Sequence, residues 1–339
     1  MPCDKVRVAV VGCGIFGSIH AVSYAQCRDA ELRCVCDLDA RRAKKAARQY
    51  GCAWTTNSAE IARDKSIAAV SIATPDFAHR ALALQMIRAG KHVLIEKPLA
   101  TSMKDARAIV AAARKARVKL MVDFHNRWSP PFVAARQAVD AGKLGEPVVG
   151  YARLSNTWDV PMKWLSWSGR SGPHWFLFPH LLDLVRWLYQ QEAVEVFATG
   201  TKGHLKKKGI DCYDAVQAQV TYTKGFATAE TCWVLPRAWP SVIDFKLDLV
   251  GSKGKIDVVC DNQGLVVTAK RYETPFLVSS LETHGRRVGF MHLPMEHFVQ
   301  CVQGDTEPHT TGHDGLVNVA TIEAIEQSIR TRRMVKVRV

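Results

Sequence analysis

The sequence predicts an α/β protein with two domains: an N-terminal doubly wound parallel sheet and a C-terminal α/β domain whose sheet is open and mostly antiparallel. Over the first third of the chain, continuous apolar runs alternate with amphipathic helical runs, as in βαβ units. Beyond residue 123 the strand-like runs alternate apolar with polar residues, which is typical of a sheet with one buried face. Because the chain has 339 residues, of which 47% are hydrophobic, it can form two cores, which we place at residues 1–123 and 124–339.

The elements of the first domain follow one another in a regular order. The predicted strands are VRVAVV at 6–11, ELRCVCD at 31–37, IAAVSIATP at 67–75, KHVLIEKP at 91–98 and VKLMVDF at 118–124. The predicted helices are IHAVSYAQC at 19–27, DFAHRALALQMIRAG at 76–90 and SMKDARAIVAAARKA at 102–116. Apolar strands joined by helices of this length form a parallel sheet with helices on both faces.

The second domain has strands of period two. They are DAVQAQVTYT, FATAETCWV and VIDFKLDLVG, the last with Ile243, Phe245, Leu247 and Leu249 on one face and Asp244, Lys246 and Asp248 on the other. Such a sheet buries one face and leaves the other polar. We expect the open face to join subunits, so that the protein forms a homodimer or homotetramer.

The loop after the first strand is rich in glycine and reads GCGIFG. A GxGxxG motif alone is weak evidence, but this one follows a strand and opens a helix, and the next strand ends in Asp37. In a Rossmann dinucleotide-binding domain the glycines allow a tight turn, approach of the pyrophosphate and helix packing, and the acid binds the ribose. The cofactor-binding residues predicted from this unit are Gly12, Gly14, Ile15, Phe16, Gly17 and Asp37.

Asp37 also bears on which nucleotide binds. A carboxylate at the ribose repels a 2′-phosphate, so the sequence predicts NAD. Arg41 and Arg42 follow a turn later and could meet such a phosphate, which leaves NADP as the alternative.

The composition excludes several classes of protein. The 46 Lys and Arg against 32 acids are scattered over helix faces, and the densest run, KGHLKKKG at 202–209, is predicted to be an exposed turn, so we expect no nucleic-acid partner. No leader pattern and no apolar run of membrane length is present, which predicts a cytoplasmic protein without membrane contact. The ten cysteines lie mostly in strand-like runs without zinc-site spacing, so we predict reduced core thiols and no metal site.

Lys97 ends a predicted strand, and strand carboxyl ends in this architecture face the ligand crevice. A partly desolvated lysine beside a cationic nicotinamide has a lowered pKa and can hydrogen-bond a substrate hydroxyl. From residue type alone, a surface lysine in a turn is the alternative.

The stretch SGPHWFLFPHLLD at 171–183 contains two histidines among aromatic residues. Either histidine could be a packed core residue or a functional group. Pro179 suits the first position of a helix, so His180 falls in the first turn, where the helix dipole favours neutral imidazole that can accept a proton. Four tryptophans lie within eighteen residues in and before this stretch: Trp158, Trp164, Trp167 and Trp175. We expect at least one of them to contact the C–H face of a sugar. Arg170 could contact a polar or acidic substituent.

The segments GCGIFG, ATPDFAH at 73–79 and AGKHVLIEKPLA at 89–100, with His180 followed by Asp183, resemble the Gfo/Idh/MocA family of sugar and cyclitol oxidoreductases over essentially the whole chain. The resemblance implies a Rossmann domain, NAD or NADP, and hydride transfer at a secondary alcohol. It further implies that the nicotinamide and its ribose lie beside Ala73, Thr74, Pro75, His79, Glu96, Lys97, Asn126 and Arg127.

The chain departs from the family pattern Asp-x-Gly-x-His-x-x-Asp at two positions. His180 and Asp183 match, whereas Phe176 and Phe178 replace the first aspartate and the glycine. The carboxylate that pairs with the histidine in the family is therefore missing, so His180 is expected to be a weaker base or to use another acid.

These observations predict an NAD-dependent dehydrogenase of a sugar, glycoside or cyclitol, with Lys97 polarising the hydroxyl and His180 as the base. The predicted substrate-binding residues are Lys97, Trp158, Trp167, Arg170, His174, Trp175, Phe176 and His180. Two alternatives stay open: a glycosidase that retains NAD and works by transient oxidation and elimination, and a non-catalytic, nucleotide-dependent regulator. The presence of both Lys97 and His180 argues against the regulator.

Overall fold

The computed structural model describes residues 5–269, 272–275 and 277–339. The strands are β1 Val6–Val11, β2 Ala30–Cys36, β3 Ala53–Thr55, β4 Ala69–Ile72, β5 His92–Glu96, β6 Leu120–Asp123, β7 Pro147–Asn156, β8 Ala193–Thr201, β9 Ala215–Tyr222, β10 Phe226–Cys232, β11 Ile243–Gly251, β12 Lys255–Val259, β13 Val267–Thr268, β14 Tyr272–Glu273, β15 Leu281–Thr283, β16 Arg286–Val288 and β17 Val335–Lys336. The helices are α1 Ile15–Gln26, α2 Ala40–Tyr50, α3 Ser58–Arg63, α4 His79–Arg88, α5 Met103–Ala116, α6 Pro130–Asp140, α7 Pro173–Phe176, α8 Phe178–Tyr189, α9 Leu293–Gly304 and α10 Gly312–Thr331.

The first sheet has the predicted doubly wound parallel arrangement. Its six strands lie in the order β3-β2-β1-β4-β5-β6, and all neighbours are parallel. β4 is buried along its whole length and β1 at every residue except Arg7, because helices cover both faces of the sheet. The strand order reverses between β1 and β4, so the carboxyl ends of these strands form the ligand crevice of the fold.

The second sheet is mixed and mostly antiparallel, as predicted. Its seven strands lie in the order β12-β11-β7-β10-β9-β8-β17, with only the pair β7 and β10 parallel. Along β11, Phe245, Leu247 and Leu249 are buried, as period two predicts, and α6 and α8 pack against the sheet. Asp244 was expected on the polar face and is nevertheless buried, because Arg153 covers it and Nη2 donates to Oδ1 at 3.2 Å.

The chain divides into two compact units whose limits differ from the predicted boundary at 123/124. The first unit comprises residues 1–128 and 279–316, and the second comprises 129–278 and 317–339. The later segment joins the first unit because α9 supplies buried side chains to the core beside β1 and α1. These side chains are Met295, Phe298 and Val299.

The cysteines agree with the prediction of reduced thiols over the described residues. Nine of them are free, and of these Cys36, Cys212, Cys260 and Cys301 are buried while the others are partly buried. Cys3 lies outside the described residues. No helix in residues 5–269, 272–275 or 277–339 is both long enough and apolar enough to span a bilayer.

Candidate active site

The glycine loop joins β1 to α1 with very little space between its parts. Gly12 has a φ of +99°, and a Cβ there would lie 2.3 Å from the Ala73 carbonyl oxygen. A Cβ on Gly17 would lie 1.8 Å from the Gly12 carbonyl oxygen. At Gly14, by contrast, no atom lies within 4 Å of the Cβ position. The first and third glycines are therefore required by the fold, whereas the second opens onto space that a phosphate could occupy.

Asp37 lies beside this loop at the end of β2. Its carboxylate accepts hydrogen bonds from the backbone N–H groups of Cys13 and Asp39, each at 2.8 Å, which fixes its orientation. Arg41 and Arg42, the residues that left NADP open, both pair with Asp39, at 3.1 and 4.0 Å. Their charge is thus partly compensated, in agreement with a site for an unphosphorylated ribose.

Leu38 is a candidate cofactor residue that the sequence reasoning missed. Its side chain is 93% exposed directly after Asp37. Its position beside Asp37 would let it pack against the adenine ring of a bound dinucleotide. The sequence feature that could have indicated Leu38 is its position as an apolar residue directly after Asp37, the predicted ribose-binding acid.

The loop after β4 has an unused polar atom. Thr74 Oγ1 is buried and has no hydrogen-bond partner among residues 5–269, 272–275 and 277–339. An unpartnered buried hydroxyl is costly, so it fits a ligand that supplies the missing bond. His79 lies behind the loop, with its ring nitrogens 2.8 Å from the Pro98 oxygen and 2.9 Å from the Thr74 oxygen. His79 thus ties the Thr74 loop to the end of the β5 segment, and both its nitrogens are used within the protein.

Lys97 is buried at the carboxyl end of β5, which excludes the alternative of a surface lysine in a turn. Burial lowers its pKa, against the opposing charges of Glu96, Asp76 and Asp123. Its Nζ lies 5.6 Å from the centre of the Phe16 ring, which belongs to the glycine loop. The peptide bond from Lys97 to Pro98 is cis. The ammonium group is therefore held on the same side of the sheet as the cofactor loop.

Behind Lys97 lies a buried group of charges. His20 Nε2 of α1 is 3.2 Å from Glu96 Oε1 and 3.4 Å from Asp123 Oδ2, and its Nδ1 is 3.1 Å from Ser71 Oγ. Burial alone would lower the pKa of His20, but the hydrogen bonds to Asp123 and Glu96 outweigh it and raise the pKa to about 9. His20 is accordingly an imidazolium that compensates the two carboxylates at the ends of β5 and β6.

The same three side chains place their ligand atoms within 4.8 Å of one another, as the ligands of a metal ion do. The imidazole nitrogen, however, is at hydrogen-bonding distance from both carboxylates. Direct bonding accounts for this cluster without an ion between the groups.

Asn126 and Arg127 follow β6 in a short helical turn, where Asn126 is buried. Arg127 Nη2 donates to Asp314 Oδ1 at 3.0 Å, and Nη1 donates to the His309 oxygen at 3.1 Å. Arg127 thereby holds the later segment of the first unit to the end of β6. Its predicted place near the nicotinamide stays a prediction.

In the second unit, His180 occupies the third residue of α8, directly after Pro179. This placement in the first turn is the one that the sequence indicated. Asn318 Nδ2 of α10 donates to the Pro179 oxygen at 3.0 Å and fixes the beginning of the helix. His180 is 7% exposed.

His174 and Trp175 share one partner that sequence reasoning did not find. Glu326 Oε1 of α10 is 2.8 Å from His174 Nε2 and accepts a hydrogen bond from Trp175 Nε1 at 3.0 Å. Burial alone would raise the pKa of Glu326, but the bonds from His174 and Trp175 lower it. Glu326 is thus a carboxylate that contacts His174 and Trp175.

Phe176 is partly buried among aromatic rings. Its ring centre lies 6.1 Å from that of Trp167 and 5.7 Å from that of Trp233. An apolar cluster thus occupies the place where the resemblance implied a carboxylate, and Trp233 was not among the predicted residues. Of the other predicted substrate residues, Trp158 is partly buried and Arg170 is exposed.

Comparisons with known proteins agree with this arrangement. Residues 6–124 match the model described as an oxidoreductase family with an NAD-binding Rossmann fold, and residues 132–257 match the Gfo/Idh/MocA C-terminal domain. An inositol 2-dehydrogenase of Rhizobium meliloti is 29% identical over 98% of this chain and 99% of its own, and a D-apiose dehydrogenase of Paraburkholderia graminis is 26% identical over 98% and 90%. The crystal structure of a putative myo-inositol dehydrogenase from Sinorhizobium meliloti superposes with a TM-score of 0.83, at 26% identity, over 98% of this chain and all of that one.

The glycine loop, the fixed Asp37 and the unpartnered Thr74 hydroxyl are suited to a dinucleotide, and the matched models cover both sheets. The chain therefore belongs to the Gfo/Idh/MocA family of oxidoreductases, and its first sheet is an NAD-binding Rossmann domain.

Proposed function

We propose that this protein oxidises a secondary hydroxyl of a cyclitol or sugar with NAD. One observation carries the proposal: a buried lysine with a lowered pKa, Lys97, stands at the carboxyl end of β5 in an NAD-binding sheet. Relatives named for inositol and apiose dehydrogenation support the substrate class.

The proposed roles follow from the surroundings of each residue. When NAD is bound, its nicotinamide supplies the acceptor for the carbinol hydride. Lys97 hydrogen-bonds the substrate hydroxyl and stabilises the negative charge that develops on its oxygen, an effect that is strongest where water is excluded. His180 takes the hydroxyl proton at a ring nitrogen. Asp37 binds the adenosine ribose, and Gly14 leaves room for the pyrophosphate.

The test is a panel of inositols, aldoses and methyl glycosides, monitored by NADH absorbance. Lys97→Ala should reduce kcat by a factor of about a thousand or more, because the hydroxyl loses its charged partner, while NAD affinity in a direct titration changes little. Turnover equal to wild type in Lys97→Ala would refute the role given to this lysine.

The same panel separates the two alternatives, neither of which gains support from the relatives. A glycosidase that retains NAD would release aglycone without accumulating NADH, and a regulator would produce neither signal. Subunit association is also a proposal: Val149, Phe197 and Phe226 are exposed apolar residues on the open face of the second sheet, and a partner subunit would cover them. The cytoplasmic location stays a prediction.

A further inference from the structure

A cavity of about 360 Å³ lies within the second unit. We call it the aromatic pocket and define it by three rings and an ion pair in its lining: Trp164, Trp239, Tyr272, Asp159 and Arg237. Its volume is at the lower end of the range for small-molecule sites, suited to one sugar-sized ring. None of these residues belongs to the site described above.

The backbone builds this pocket from two segments held side by side. Thr157 N–H donates to the Val242 oxygen, and Trp158 N–H donates to the Leu235 oxygen, each at 3.2 Å. Thr274 N–H donates to the Pro240 oxygen at 3.0 Å, which attaches the β14 segment carrying Tyr272. The aromatic residues are thus supported by backbone bonds on each contributing segment.

The ion pair of the pocket is oriented by hydrogen bonds. Asp159 Oδ1 accepts from Lys163 Nζ at 3.1 Å and from Arg237 Nε at 2.9 Å. The hydrogen bond from Lys163, with the charge of Arg237, lowers the pKa of Asp159, which stays ionised. Among the described residues that line the cavity, Asp159, Arg237 and Glu273 are the charged ones, and Lys163 pairs with Asp159 from outside the lining.

The rings present apolar surface to water. Trp164 is 50% exposed and Tyr272 is 52% exposed. A ligand that suits exposed ring faces and charge-assisted hydrogen bonds has C–H groups on one side and hydroxyls at its edge, which is the chemistry of a carbohydrate ring. A purely apolar ligand would cover the ion pair without replacing its hydration.

The same two chain segments also carry the cluster around Phe176. Trp167 follows Trp164 by three residues, and Trp233 precedes Trp239 by six residues. Trp167 and Trp233 are the two rings in contact with Phe176, four residues before His180. One pair of segments therefore builds both the aromatic pocket and the surroundings of the proposed base.

We propose that the aromatic pocket binds the second ring of a glycoside or disaccharide whose other ring is oxidised. This inference rests on the proposed function and narrows its substrate class. Free inositol and monosaccharides have no second ring, so they would not contact the aromatic pocket.

The experiment compares each disaccharide with its methyl glycoside, maltose with methyl α-D-glucopyranoside and cellobiose with methyl β-D-glucopyranoside. In Trp164→Ala, kcat/KM should fall about tenfold for the disaccharide, through KM, and stay unchanged for the methyl glycoside, because only the outer ring loses its stacking partner. Trp164→Phe, which keeps a ring, should restore most of the loss. Trp54→Ala removes a similarly exposed tryptophan from the first unit and should change neither substrate.

Equal losses for both substrates, or no loss for either, would overturn the assignment. Calorimetric titration of the protein with maltose and cellobiose measures binding independently of turnover. Heat of binding that is seen with wild type and disappears in Trp164→Ala supports the pocket, even if no compound reduces NAD. In that case only the proposed oxidation is wrong. If Trp164→Ala instead dissociates subunits in sedimentation experiments, the pocket is a contact between copies of the chain and the proposal is overturned.

Discussion

At the scale of single residues, Phe176 shows how the site departs from its family. Its ring packs against Trp167 and Trp233, and the acid Glu326 of α10 is bound by His174 instead. The position has become part of an apolar cluster, so its neighbours no longer suit a charged group.

We expect Phe176→Asp to lower stability without raising activity. A carboxylate there would lie against the rings of Trp167 and Trp233, and burying a charge in these mostly apolar surroundings costs about 1–3 kcal/mol even if the Trp233 N–H, which has no partner among the described residues, donates to it. Thermal unfolding and kcat on the best substrate measure the two effects. Phe176→Leu, which keeps the apolar contact, is the control, and higher kcat in the aspartate variant would show that the cluster still accommodates the family carboxylate.

His20 makes a pH-dependent contribution to stability. Its pKa is raised to about 9 in the folded protein from 6.5, so its stabilising effect is complete below pH 6.5 and is lost as the pH rises through about 9. The difference in unfolding free energy between wild type and His20→Gln should therefore be about 3 kcal/mol larger near pH 6 than above pH 9, with the decrease falling between about pH 6.5 and pH 9. Denaturant titrations between about pH 6 and pH 10 check this, and a difference that does not vary with pH would contradict a charged His20.

We predict that Asp37 sets the preference for NAD over NADP, and two variants test this role. Asp37→Ala should raise KM for NAD about tenfold or more, since bonds to a charged acceptor are lost, and should raise KM for NADP less or lower it. Asp37→Asn keeps the size of the side chain and removes its charge, so it should shift the preference in the same direction with a smaller loss for NAD. Steady-state KM values for both cofactors give the answer, and equal changes for both would mean that Asp37 acts only on the loop.

At the scale of elements, the six residues of the GCGIFG loop that joins β1 to α1 include one glycine that the fold requires, Gly17, and one that is placed for cofactor binding, Gly14. Gly17→Ala places a Cβ against the Gly12 oxygen, so it should lower the unfolding free energy by about 3 kcal/mol or more. Gly14→Ala meets no protein atom, so it should unfold like wild type but bind NAD about tenfold more weakly. Thermal unfolding and NAD titration of the pair test this, and a stable Gly17→Ala would contradict the close approach.

The elements that could be predicted are those whose own residues carry the pattern. The strands of the first sheet are continuous apolar runs and were found, except β3, whose three residues Ala53–Thr55 are too few for a period to emerge. In the second sheet β7, β8, β12 and β17 were not predicted; in β7, Gly150 interrupts the alternation where a side chain would collide with Tyr189. Glu326 was missed for another reason: it lies about 150 residues from His174, and no local pattern indicates a partner so distant.

The site was predictable to the extent that its residues stand in short motifs. Gly12, Gly17, Asp37 and Lys97 follow strand ends, so topology alone brings them to one edge of the sheet. The aromatic pocket depends on two loops joined by backbone bonds such as those of Thr157 to Val242 and Trp158 to Leu235, and such pairing has no signal in the sequence.

At the scale of the whole molecule, the first unit is assembled from two separate parts of the chain. Residues 1–128 contain every strand of its main sheet, yet α9 contributes Phe298, which is completely buried in the same core. The unit that begins the chain is thus completed only by residues near its other end.

This arrangement has a consequence during synthesis. While the ribosome is adding residues 129–278, the early sheet already exists outside the exit tunnel with the surface that α9 will cover still open to water. The second unit also receives its last residues, 317–339, after that point. Neither unit can close before residues 279–339 are made, so a nascent chain stalled before α9 is the form of this protein most in need of a chaperone.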